Sequence, residues 1–69
     1  MHREVNIESL RQVFVVLMND QPVEYYFDYQ NGATLGRFMD EGWGHFYQPH
    51  LRRWEFINMK HIVKVYYGK

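Results

Sequence analysis

Sixty-nine residues with no cysteine, eight acidic and eight basic side chains and four histidines describe one small domain of zero formal charge. That inventory excludes disulfide staples, thiolate metal sites and thiol catalysis, and it excludes attachment to nucleic acid or anionic membrane by bulk charge. No apolar run approaches the ~20 residues of a membrane helix, and the first residues lack the apolar centre of a secretory signal, so a cytoplasmic protein is expected.

Along the chain, residues 1–10 are polar with Val5, Ile7 and Leu10 spaced through them, a short strand or a lead-in arm. Residues 11–18 carry the strongest strand signal, Gln-Val-Phe-Val-Val-Leu-Met, apolar on both faces and therefore expected to be central or covered on both sides. Asn19, Asp20 and Pro22 supply turn chemistry. Residues 23–30 alternate, with Val23, Tyr25, Phe27 and Tyr29 on one face and Glu24, Tyr26, Asp28 and Gln30 on the other, which predicts the second strand of an antiparallel hairpin. Asn31-Gly32 breaks it. Thr34 then caps a short helix by accepting from a backbone N–H near Arg37, Leu35, Phe38 and Met39 form its apolar stripe, and Gly42 ends it. Residues 42–50 read as a loop made sticky by Trp43, Phe46 and Tyr47. A last β region covers 53–58 and 61–67, divided by a turn or bulge at Asn58-Met59-Lys60. The expected class is α+β: a small antiparallel sheet with one short helix, in the order β-β-α-β, the last β region split or whole.

The zero net charge hides a division. Residues 20–41 hold Asp20, Glu24, Asp28, Asp40 and Glu41 against Arg37 alone, a net −4, whereas residues 42–69 hold Arg52, Arg53, Lys60, Lys64 and Lys69 against Glu55 alone, a net +4. The acidic middle contains Tyr26 and the exposed strand face, a strip that resembles phosphates beside bases. In the basic part, Arg52-Arg53-Trp54 followed by Phe56 combines cations with stacking rings, as single-strand binders do; the plainer alternative is an edge strand with Trp54 in the core and the arginines in water.

Catalytic chemistry is missing from the inventory. Ser9 is the only serine, the glycines form no phosphate loop, and Asp40 and Glu41 are adjacent and diverge on a helix. His2, His45, His50 and His61 have no metal-ligand spacing. A non-enzyme without metal or cofactor is expected. A core this small supplies only about 3–5 kcal/mol unaided. With 19% of the chain aromatic, a second copy of the chain is the expected support, since large rings concentrate at interface cores.

The segment Tyr29-Gln30-Asn31-Gly32-Ala33-Thr34-Leu35-Gly36-Arg37-Phe38, together with the preceding hairpin, resembles the small dimeric uracil-DNA glycosylase inhibitors of Bacillus phages. The likeness covers roughly 12–41 and 57–65, with 42–53 as an insertion. It implies a homodimer in a host cytoplasm that blocks the enzyme's DNA channel, presenting an apolar pocket edged by carboxylates. Phe38 matches the family's helix phenylalanine. The residues after it depart from the pattern, so the pocket carboxylate is carried to Asp40 or Glu41 and the family tyrosine to Trp43. The expected contact set is Glu24, Tyr26, Asp28, Phe38, Asp40, Glu41 and Trp43, with a DNA-repair or other DNA-binding enzyme as partner. The alternatives are a barrel-like single-stranded nucleic-acid binder using Arg52, Arg53, Trp54 and Phe56, and a module for protein–protein contact alone.

Overall fold

A computed structural model describes residues 5–68; His2 and Lys69 lie outside them. In chain order the elements are β1 (Arg11–Leu17), β2 (Val23–Phe27), α1 (Leu35–Glu41), β3 (Trp43–Gln48), β4 (Arg53–Asn58) and β5 (Ile62–Tyr67). Single 3-10 turns at Ile7–Ser9, Tyr29–Asn31 and Met59–His61 fill the connections. The strands form one antiparallel sheet in the spatial order β4-β3-β2-β1-β5. The class is α+β as expected, but the chain order is β-β-α-β-β-β.

The additional strand is β3, which corrects the loop expected over residues 42–50. Trp43-Gly44-His45-Phe46-Tyr47-Gln48 alternates with period two: Gly44, Phe46 and Gln48 face the core, and Trp43, His45 and Tyr47 face away. β3 pairs with β4 from Trp43↔Asn58 to Gln48↔Arg53. Gly44 is fixed by packing, because a Cβ there would lie 2.2 Å from Cε2 of Phe46 and 2.9 Å from Sδ of Met59.

β1 and β2 form the expected hairpin, with Val13↔Tyr25 and Val15↔Val23 in register. Asn19 takes a left-handed φ of 65° in the turn, a conformation asparagine tolerates better than most residues. β1 is flanked by β2 and β5, yet only one of its faces is covered. Val13 and Val15 are buried, while Phe14 and Val16 remain half-buried on the other side. β2 ends at Phe27, so Tyr29 leaves the alternation and enters a 3-10 turn.

The helix starts as read: the Thr34 hydroxyl accepts from the Arg37 backbone N–H at 3.1 Å. It stops at Gly42, whose φ of 88° lets its N–H reach the Phe38 carbonyl at 2.8 Å. Seven residues do not persist as a helix alone. Phe38 anchors this one, meeting Phe46 at 5.1 Å and Phe27 at 6.0 Å between ring centroids, both edge-on. Leu35 packs alongside, but Met39 is 67% exposed and does not belong to the apolar stripe. The core therefore lies between α1 and one face of the sheet, built from Val13, Val15, Tyr25, Phe27, Phe38, Phe46 and Ile57.

Candidate nucleic-acid interface on the outer face of the sheet

The face turned away from α1 is fixed by the same registers. Gln12 lies opposite Tyr26, Tyr26 opposite Tyr47 and Tyr47 opposite Trp54, so one cross-strand row runs over β1, β2, β3 and β4. The next pair along β3 and β4 is His45 with Phe56, and the row beside it on β5, β1 and β2 is Tyr66, Phe14 and Glu24. Opposed side chains stand about 5 Å apart, close enough for rings to touch. Phe14 stacks on Tyr66 at 5.4 Å. The His45 ring stacks on Phe56 at 4.6 Å with 13° between planes, and lies 4.7 Å from Trp54, which leans on Tyr47 at 5.4 Å.

These rings face solvent. Phe56 is 70% exposed, Trp43 55% and Trp54 37%, whereas Tyr47 forms the buried floor beneath them. Trp54 is thus outside the core, contrary to the edge-strand alternative, although β4 is an edge of the sheet. Arg52 is exposed in the β3–β4 turn, two residues before Trp54, with φ 53°, and Lys64 holds its ammonium 5.3 Å from the Tyr66 ring centroid. Arg53 belongs to the other side: its Nε–H donates to Glu55 at 2.8 Å, and the second oxygen of that carboxylate accepts from the Tyr25 hydroxyl at 2.9 Å. Burial, and after it the hydrogen bond to Glu55, push the Tyr25 phenol up to about 12.

Glu24 is the one acid on the outer face of the two central strands. Its Oε2 accepts from the Tyr26 hydroxyl and from the Gln12 amide, each at 2.7 Å, and these two bonds hold the carboxyl below the usual glutamate range. His50, from the β3–β4 turn, brings Nε2 to 3.5 Å from Oε1. The Tyr26 phenol is raised in turn, first by its bond to Glu24. Beyond Gln12 and Tyr26 the row opens into a groove of about 420 Å³ lined by Ile7, Glu8, Leu10, Arg11 and Tyr29 as well. The Arg11 guanidinium stacks over Tyr67 at 4.3 Å, and Tyr67 lies opposite Val13, on the α1 side of the sheet.

The contact set expected from the sequence is distributed over both sides of the molecule. Glu24, Tyr26 and Trp43 are on the outer face. Phe38 is 6% exposed in the core. Asp40 and Glu41 are exposed at the end of α1, across the sheet from Glu24, and Glu41 pairs with Arg37 at 3.1 Å. Asp28 follows β2 and accepts from the Asn31 amide at 2.6 Å. Sequence reasoning missed His45, Tyr47, Phe14 and Tyr66. The period-two spacing of Trp43, His45 and Tyr47 was the signal for β3, obscured by Gly42 before the strand and Gly44 within it. Among the described residues no three His, Asp or Glu side chains gather as metal ligands, and no helix is long and apolar enough to cross a membrane. Comparisons with protein-family models, curated proteins and solved structures gave no match to this chain.

Proposed function

We propose that this chain binds single-stranded nucleic acid across the outer face of its sheet. Bases stack on Phe56, Trp54 and His45, and Arg52 and Lys64 meet phosphates. The observation that supports this reading is the exposure of Phe56 and Trp54 beside a stacked histidine. Rings of this size ordinarily enter the core of so small a domain, and a sheet face of exposed rings is a surface on which unpaired bases stack. Each stacked base contributes about 1–3 kcal/mol. The small share of charge sets the salt dependence: two phosphate contacts give a slope of log K against log salt of about −1.4 on a single strand. Titration with short oligothymidylate over a range of salt, followed by fluorescence anisotropy, tests the reading. Saturable binding with that shallow slope supports it, and no binding at low salt refutes it.

A second reading has its own observation. Met39, Asp40 and Glu41 are all exposed at the end of α1, so an apolar side chain stands beside carboxylates there, as the resemblance to glycosylase inhibitors implies. In that reading two copies of the chain offer this region to a DNA-binding enzyme. Uracil excision by uracil-DNA glycosylase in the presence of excess protein decides it: a full rate rejects inhibition. Light scattering on the same sample gives the number of copies.

A further inference from the structure

A carboxylate at the centre of a face that receives phosphates needs a reason, since it opposes the ligand's charge. Resting on the stacking reading above, we propose that Glu24 reads the edge of a base lying over Tyr26 or Phe14, favouring bases that carry an exocyclic amino group over thymine and uracil.

The geometry divides the two oxygens of Glu24 between two tasks. Oε2 is saturated by the Tyr26 hydroxyl and the Gln12 amide, each at 2.7 Å, which fixes the side chain between two rows of rings. Oε1 has the His50 imidazole at 3.5 Å as its neighbour among the described residues, and the side chain keeps 25% of its surface. An ionised carboxylate accepts only. Oε1 therefore welcomes the amino hydrogens of cytosine, adenine or guanine. Thymine and uracil present N3–H between two carbonyl oxygens, and both oxygens repel the carboxylate. A fixed acceptor of this kind is the pairing by which glutamate recognises the cytosine amino group. The ionised form is the one the two donors stabilise, and hydrogen bonds to a charged acceptor are the stronger kind. Gln12 and Tyr26 act through Glu24 and are positioning residues.

Cytosine and thymine are pyrimidines of similar stacking area, so oligocytidylate and oligothymidylate of equal length isolate the edge contact. The wild-type chain is expected to bind oligocytidylate about tenfold more tightly at pH 7.5. In Glu24→Gln the amide donates as well as accepts, so the preference should vanish while affinity for oligothymidylate stays level or rises, one negative charge having left the face. A residue that merely supports the fold would weaken both ligands together. Should that variant not fold, N4,N4-dimethylcytidine oligomers put the same question to the wild-type chain: without amino hydrogens they should bind like thymidine. Equal affinity of the wild-type chain for cytidine and thymidine oligomers overturns the role of Glu24 and leaves stacking standing. A cytidine preference that survives in Glu24→Gln overturns it too, and an absence of binding to either oligomer overturns the stacking reading along with it.

Discussion

The two faces of this sheet use the same kinds of residue to opposite ends. On the inner face Phe27, Phe38 and Phe46 are edge-on to one another and at most 6% exposed. On the outer face Phe14, Tyr66, His45, Phe56 and Trp54 are also in ring contact, yet no strand or helix among the described residues covers them. One helix of seven residues covers one side of a five-stranded sheet. The contrast teaches that aromatic content alone does not measure a core. The inner rings hold the fold together, and the outer rings are held by the fold and left available.

Phe46→Ala tests the inner side hardest. Phe46 has no exposed surface and touches Tyr25, Phe27 and Phe38, so its loss should cost about 3–5 kcal/mol. In a domain of this size that is enough to abolish cooperative thermal unfolding followed by circular dichroism. Phe56→Ala is the matched change on the outer face. Folding stability should move by no more than about 0.5 kcal/mol, while single-strand affinity falls by about 1–3 kcal/mol. If urea midpoints show that Phe56 matters as much as Phe46, the two faces are not different in kind.

Gly44→Ala should destabilise by about 1–3 kcal/mol, because the new methyl enters the space held by Phe46 and Met59 at the seam between β3 and the core. Thr34→Ala should cost about 1 kcal/mol in the same assay, the loss of one cap on a helix that depends on Phe38 for its place.

The pH dependence separates the faces more gently. The Tyr25 phenol has a folded pKa of about 12, above its unfolded value near 10, so folding favours the neutral hydroxyl. Its contribution is complete below about pH 10 and is lost as the pH rises towards 12. Glu24 shifts the other way: its folded pKa lies below the unfolded value near 4.5, so its contribution is complete above that pH and is lost as the pH falls through the folded value. Tyr25→Phe should flatten the alkaline limb of a stability profile, and Glu24→Gln should flatten the acid limb.

Much of this architecture was legible where local chemistry and periodicity agree. The β1–β2 hairpin followed from β-branched residues, alternation and turn residues, and α1 followed from Thr34 and Gly42 as its two ends. β3 was not legible in the same way. Its six residues include a glycine and no β-branched side chain, and its strand conformation comes from pairing with β4 and from Phe46 filling the core. Which face the helix covers was also beyond a pattern of alternation, since period two names two faces and assigns neither to solvent. That is why Trp54 and Phe56 were found as residues while their partners His45 and Tyr47 were not, and why Asp40 and Glu41 were grouped with Glu24 across the thickness of the sheet.

The most direct test uses the chain's own fluorescence. It has two tryptophans, Trp43 and Trp54, and Trp43→Phe leaves Trp54 as the reporter on the outer face, at its β4 side. Titrated with oligothymidylate at low salt, Trp54 emission should be quenched to saturation as bases stack on it, and added salt should reverse the change with a slope near −1.4 on logarithmic axes. Emission that stays constant through a large excess of oligomer, with the protein shown to be folded, would contradict the account.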